Sequence, residues 1–360
     1  MKYKFLLKNY IKDKLFIVRL ASFLAFLIPF VTIPKIWLSD RLFPLVPYFE
    51  QLPVPNLVGD VVLIAIFFLA YVFFVFRPNW KYGLPVVIIY IFWALLDQNR
   101  LQPFYFEIIL VVFALTEFKD SPRRVRQCIL LILIATYFWS GLHKINTLFF
   151  EFWAKGLEKR IPFVPLILRE IFTYAVPFLE CSFGVLLVFP RTRKWGIWLI
   201  ACMHAMILTT FIVGNFGYLV FPLTLFNVFV LFYLFYREPL SLKHVFDLKR
   251  LKTIIIFIAV VILPFFNFMG YYDHILSFSY FSAKPKYCRL YFKNTKDTER
   301  LPSHIKINVR MFEKNYYIDF NEWSARTIGV MVYPEKRVYK ALQEDINKYL
   351  MNSDTYLEYY

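Results

Sequence analysis

The residues best suited to chemistry lie in Tyr137-Phe-Trp-Ser-Gly-Leu-His-Lys-Ile-Asn146, where an apolar run that starts at Cys128 gives way to His143, Lys144 and Asn146. A lysine costs about 3 kcal/mol at the centre of a membrane span and less near an interface, where its ammonium reaches water. Burial also favours the neutral amine, which takes up a proton near neutral pH. Lys144 therefore reads either as a helix-end lysine that snorkels or as a desolvated base, with His143 beside it. Other polar residues interrupt apolar stretches. Asp97-Gln-Asn-Arg100 reads as a local ion pair of Asp97 and Arg100, or as a polar wall, Asn99 included, facing Lys144. Glu107 reads as the partner of a nearby cation. Glu180 and His204 sit mid-span in consecutive apolar stretches and read as partners of each other. His143, His204, His244, His274 and His304 form no i, i+4 pair and have no acidic companion at ligand spacing, so no metal site is expected. No Ser-His-Asp elbow or phosphate-binding glycine loop is present.

The elements that must position these residues are read from composition. The chain has 360 residues, 59% hydrophobic and 21% aromatic, against about 45–50% apolar for a soluble domain. It is a membrane protein by that measure. Its formal net charge of +17 sits between the apolar runs, as suits orientation in a membrane and contact with anionic lipid headgroups rather than nucleic acid. The cysteines Cys128, Cys181, Cys202 and Cys288 lack metal-ligand spacing, and no disulfide framework is expected. No small-residue cleavage site follows the first apolar run, so no cleavable signal is expected.

The pattern divides into a basic interfacial segment, residues 1–19, a transmembrane domain, residues 20–270, and a small α+β domain, residues 271–360. About nine spans read as 20–37, 60–76, 83–97, 104–117, 127–144, 171–190, 195–213, 217–236 and 253–270. With the N-terminus inside, the inner segments hold 20 Lys/Arg and the outer loops 8. That bias favours a polytopic helical bundle in the cytoplasmic membrane with the C-terminal domain extracytoplasmic. Leu148 to Glu170 mixes aromatic and charged residues, Trp153 among them, and suits a segment lying at the interface above Lys144. In the last domain, 287–292, 304–310 and 316–320 alternate with period two and read as half-buried strands. Val338, Leu342 and Ile346 give one helix stripe after Pro334. That domain carries no catalytic motif and reads as a cap.

The run Tyr137 to Asn146, followed by Trp153-Ala-Lys-Gly156, resembles the Tyr-Phe-x-(Ala/Ser)-Gly-x-x-Lys-Leu-(Asp/Asn)…Trp-x-x-Gly signature of vitamin K-dependent gamma-glutamyl carboxylases. It is equally similar to that of their bacterial relatives, the horizontally transferred transmembrane domain proteins. The likeness extends over residues 85–236. It implies a bundle of eight or nine spans with a non-cytoplasmic C-terminal region, and a reduced quinone of the vitamin K hydroquinone type as co-substrate. By that resemblance Lys144 matches the lysine that deprotonates the hydroquinone, His204 an intramembrane histidine and Glu180 an acidic position. The chain departs from the family in having His143-Lys144 for Lys-Lys, a more distant Trp153, Asn99-Arg100 near an Asn-His pair, and no long luminal domain.

These readings give three expectations. The first is a carboxylase-like protein, a lyase or oxidoreductase, that uses Lys144 with His143 on a lipophilic quinol. Its substrate would be bound among Asp97, Asn99, Arg100, Asn146, Trp153, Glu180 and His204. The second is a non-enzymatic scaffold or subunit whose outer domain docks an extracytoplasmic protein partner, in which Lys144 sits in a satisfied salt bridge. The third is a transporter or lipid-handling protein with discontinuous spans.

Overall fold

The computed structural model describes residues 13–118, 120–160, 162–214, 217–242, 250–294, 298–313, 315–350 and 355–360. Most of the basic interfacial segment read at residues 1–19 lies outside them. In chain order the first helices are α1 (Lys14–Thr32), α2 (Leu57–Phe76), α3 (Trp80–Leu96), α4 (Pro103–Leu115) and α5 (Pro122–His143). They are followed by α6 (Thr147–Arg160), α7 (Leu166–Val188), α8 (Arg193–Gly214), α9 (Phe221–Val230) and α10 (Leu251–Phe257). Among the described residues, 6 helices are long and apolar enough to cross a membrane: α1, α2, α5, α7, α8 and the Leu251–Met269 run that α10 begins. α3, α4 and Phe221–Phe235 are shorter apolar helices. The protein is thus mostly helical, with a small C-terminal sheet.

The chain divides into two compact units. One takes residues 1–29, 67–87 and 103–284; the other takes 30–66, 88–102 and 285–360.

The first unit is organised around α5. In its apolar window 78% of residues are buried, against 17% for α8, whose Leu199, Met206, Ile212 and Val213 are exposed. Such an apolar exterior is what a lipid-solvated helix carries. Ser121 caps the start of α5 by accepting from the Arg124 amide at 3.3 Å, and Pro122 occupies the first turn, where its missing N–H costs nothing. The main partner of α5 is α7, and glycines on both helices set their separation. A Cβ on Gly141 would lie 2.4 Å from the Cys181 nitrogen, and one on Gly184 would lie 2.8 Å from the Phe138 nitrogen. Only a residue without a Cβ lets two backbones meet so closely.

Two helices loosen into π turns, at Leu231–Phe235 and Ile258–Ile262. The second exposes the Val260 carbonyl, which accepts from the indole of Trp139 at 2.8 Å. Buried Arg193 donates to the carbonyls of Leu187, Val188, Glu238 and Leu240, which satisfies orphan acceptors at the end of α7. Lys252 likewise donates to Ala114 and Thr116 carbonyls while pairing with Asp120 at 2.6 Å.

The second unit holds β1 (Cys288–Phe292), α11 (Ser303–Lys306), β2 (Val309–Phe312), β3 (Asn315–Asp319), α12 (Phe320–Ile328), α13 (Lys336–Asn347) and β4 (Thr355–Tyr359). The strands lie in the order β2-β3-β1-β4 with every neighbouring pair antiparallel. This is the split β-α-β, or ferredoxin-like, arrangement. Asp319 caps α12 by accepting from the Asn321 and Glu322 amides. Val338, Leu342 and Ile346 are fully buried on α13, and Phe320 stacks on Tyr339 at 6.2 Å. The period-two pattern of 304–310 is only partly a strand. Its first half is the helical turn α11, because Pro302 sits just ahead of it with a conformation that leads into a helix, and β2 starts at Val309. The last strand, β4, was not among the segments read as strands.

Candidate functional site

Lys144 is the residue that follows α5, and the backbone there stays helical (φ −77°, ψ −9°). Its side chain turns back along the helix rather than out to water and is 6% exposed. The ammonium meets Glu180 Oε2 at 2.8 Å, the Ser140 hydroxyl at 2.7 Å and the Ser140 carbonyl at 3.2 Å. Glu180 is itself 8% exposed. All three donors of the ammonium are therefore engaged, and the charge is paired one-to-one. A base needs a free lone pair turned toward its substrate; in this structure the Lys144 nitrogen is turned toward Glu180 and Ser140.

Other polar and aromatic residues of the motif also have local partners. Gly141 lets α7 approach. The Tyr137 hydroxyl and His204 Nε2 lie 2.8 Å apart, so Glu180 and His204 do not pair with each other as expected. The reason is helix geometry: Glu180 falls opposite the end of α5, whereas His204 on α8 meets Tyr137 almost two turns earlier. Asn146 caps α6, its Oδ1 accepting from the Phe149 amide at 2.9 Å. Its amide donates to the carbonyls of His143 and Ser282, each at 2.9 Å, and so ties this corner to the 282 loop. Trp153 stacks on Phe149 at 5.6 Å. His143 is fully buried between Trp139 and Phe268, whose ring centroids lie 5.8 and 4.5 Å away. Neither of its ring nitrogens makes a hydrogen bond of ordinary geometry among the described residues. On the loop beyond the last apolar helix, the Lys284 ammonium lies 4.3 Å from the Phe268 centroid, and burial pushes its pKa down.

Asp97, Asn99 and Arg100 belong to the other compact unit. All three are fully buried. Asp97 pairs with Arg41 at 2.5 Å and lies 4.0 Å from Arg100, and it accepts from the side-chain amide of Asn99 at 2.9 Å. Arg100 donates to the Ile36 and Trp37 carbonyls at 2.9 and 3.2 Å. Its pKa is lowered to about 10 by burial, against the pull of Asp97. Asn99 Oδ1 accepts from the Tyr333 amide at 2.9 Å, and Gln98 accepts from Arg337 at 2.7 Å. These groups knot the 36–47 segment, the 97–102 turn and the 331–337 segment together. They have protein partners throughout.

Sequence reasoning missed two partners, Arg41 and Tyr137. It also read Glu107 as facing a cation. Glu107 instead accepts from Asn227 at 2.9 Å and Thr136 at 3.1 Å, both neutral. A cavity of about 250 Å³ lies against α5, lined by Leu131, Phe138, Trp139, Val188 and Val261 among others, and another of about 220 Å³ lies near Lys14 and Tyr236. Neither is lined by Lys144. No group of three or more His, Cys, Asp or Glu could hold a metal among the described residues.

Residues 122–222 match the family of methylamine utilisation protein MauE, a family of membrane proteins. The match covers α5 to α8 and the entry to α9, and so contains Lys144, Glu180, Tyr137, His204 and both packing glycines. It overturns the resemblance to the carboxylases and the horizontally transferred transmembrane domain proteins, and with it the carboxylase-like lyase or oxidoreductase reading. The reduced quinone was implied by that resemblance alone. Neither a comparison with curated proteins nor one with solved structures gives a match. The chain is a multi-pass membrane protein whose central helices are similar to MauE.

Proposed function

We propose that this chain is a membrane accessory protein, a helical scaffold that offers its C-terminal α+β domain to an extracytoplasmic protein partner. The observation that carries the reading is the Lys144–Glu180 pair, in which the one candidate base is spent on holding α5 to α7. The likeness to MauE, a membrane family named for methylamine utilisation, supports an accessory role over a catalytic one. The Lys/Arg bias of the loops supports an inside N-terminus, about nine spans in the cytoplasmic membrane and an outer C-terminal unit. Lipids contact the exposed apolar helix faces.

The sheet supports docking through its composition. Cys288, Leu290 and Ile318 are fully buried on the face covered by helices. By register, the opposite face carries Arg289 and Tyr291 of β1, Tyr317 of β3, Tyr356 of β4, and Arg310 and Phe312 of β2. Tyr291 stacks on Tyr356 at 5.2 Å and meets Tyr317 in a tilted contact at 5.4 Å, and Phe312 is 62% exposed. Tyrosine and arginine dominate the residues that anchor protein interfaces. A photo-crosslinking residue placed at Phe312 in native membranes tests the reading. Adducts of defined mass that disappear with Tyr356→Ala, and persist in a folded Lys144→Met/Glu180→Met chain, are expected. Adducts indifferent to Tyr356→Ala, or a folded double variant that loses them, would refute it.

A further inference from the structure

Besides the Lys144–Glu180 pair, the first unit buries a second polar cluster that no charge balances. Glu107 on α4 is fully buried, and both of its hydrogen-bond partners donate to the same oxygen. The Asn227 amide on α9 reaches Oε1 at 2.9 Å, and the Thr136 hydroxyl on α5 reaches it at 3.1 Å. Oε2 has no partner. Nor does Oδ1 of Asn227, the other acceptor of the hydrogen-bonded pair. Two orphan acceptors on one carboxyl–amide pair are an unfavourable arrangement, since each buried acceptor without a donor forfeits its solvation.

A single hydrogen resolves both. We propose that Glu107 is a proton-binding site within the helical bundle: Oε2 carries the proton and donates it to Oδ1 of Asn227. The Asn227 amide donates back to Oε1 in a closed acid–amide pair. The arrangement is electrically neutral, as the surroundings require. Among the described residues no cation pairs with Glu107, and an isolated carboxylate away from water is costly. Thr136 and Tyr137 on α5 and Asn227 on α9 face this cluster; α10, which also packs on α4, carries Lys252, whose charge is paired with Asp120.

The test uses the full chain in detergent or in vesicles. Infrared difference spectra of wild type against Glu107→Gln at neutral pH should show loss of a protonated-carboxyl stretch. Dicyclohexylcarbodiimide, which modifies protonated carboxyls in apolar surroundings, should place its adduct on the Glu107 peptide by mass spectrometry. Glutamine retains the acceptor for Asn227 and Thr136, so the variant should fold. If it does not, the wild-type adduct alone decides. Loss of an ionised-carboxylate stretch instead, or no adduct on Glu107, would overturn the proposal.

Discussion

Replacing Lys144 with methionine separates a structural lysine from a catalytic one. The wild-type ammonium sits 2.8 Å from Glu180 Oε2, and the two residues are 6% and 8% exposed. Methionine fills similar volume but leaves Glu180 with no other ion-pair partner among the described residues. Removing one member of a buried pair costs about 3–5 kcal/mol, whereas replacing both with apolar side chains of similar size is often neutral or stabilising. Lys144→Met and Glu180→Met should therefore each lower the unfolding free energy by about 3–5 kcal/mol. Lys144→Met/Glu180→Met should return to the wild-type value or exceed it. Steric trapping in bicelles or a thermal unfolding series in one detergent measures the cycle. A double variant that falls to the sum of the singles would refute the clamp, as would a Lys144→Met chain as stable as wild type.

The packing glycines give a second expectation. Gly184→Ala sets a methyl 2.8 and 2.9 Å from backbone atoms of Phe138 and Ile134, and overpacking should cost about 1–3 kcal/mol in the same unfolding measurement. In the other unit, Asn99→Ala removes the acceptor of the Tyr333 amide. A buried amide left unmade costs about 1–3 kcal/mol, so exchange at Tyr333 should quicken by about 10- to 100-fold, read by mass spectrometry. Lys284 tests the electrostatics outside the membrane. Its pKa is lowered by burial, so the folded state prefers the neutral amine. Stability from this group is complete above the ordinary lysine value and is lost as pH falls through the lowered one. Acylation of Lys284 should accordingly rise at lower pH than that of the exposed lysines, and a coincident pH profile would count against it.

The sequence was legible where one chemical property repeats. Apolar runs placed the long helices, and the stripe of Val338, Leu342 and Ile346 placed α13. Lys144 stood out because it closes an apolar-dominated stretch that starts at Cys128. Its partner did not, since the match between Lys144 and Glu180 depends on how far α7 slides along α5. The glycines that fix that slide, Gly141 and Gly184, are separated by a whole helix and a turn. Spacing alone paired Glu180 with His204 because both sit mid-span. Arg41 was passed over as one more loop cation, although it closes the knot around Asp97. The family likeness read at Tyr137 to Asn146 was carried by residues that this structure engages in packing, capping and pairing.

The clamp also bears on how the chain enters the membrane. Taken singly, α5 is followed at once by Lys144 and α7 carries Glu180, and each would meet lipid with an unpaired charge at a cost of about 3 kcal/mol at mid-depth. Between them lies only α6 with its short connections. A hairpin in which the two helices leave the insertion machinery together meets lipid with no net charge and with its glycine faces already closed. The Lys144–Glu180 contact would then be made before most of the bundle exists, so the order of synthesis itself selects the pairing of α5 with α7.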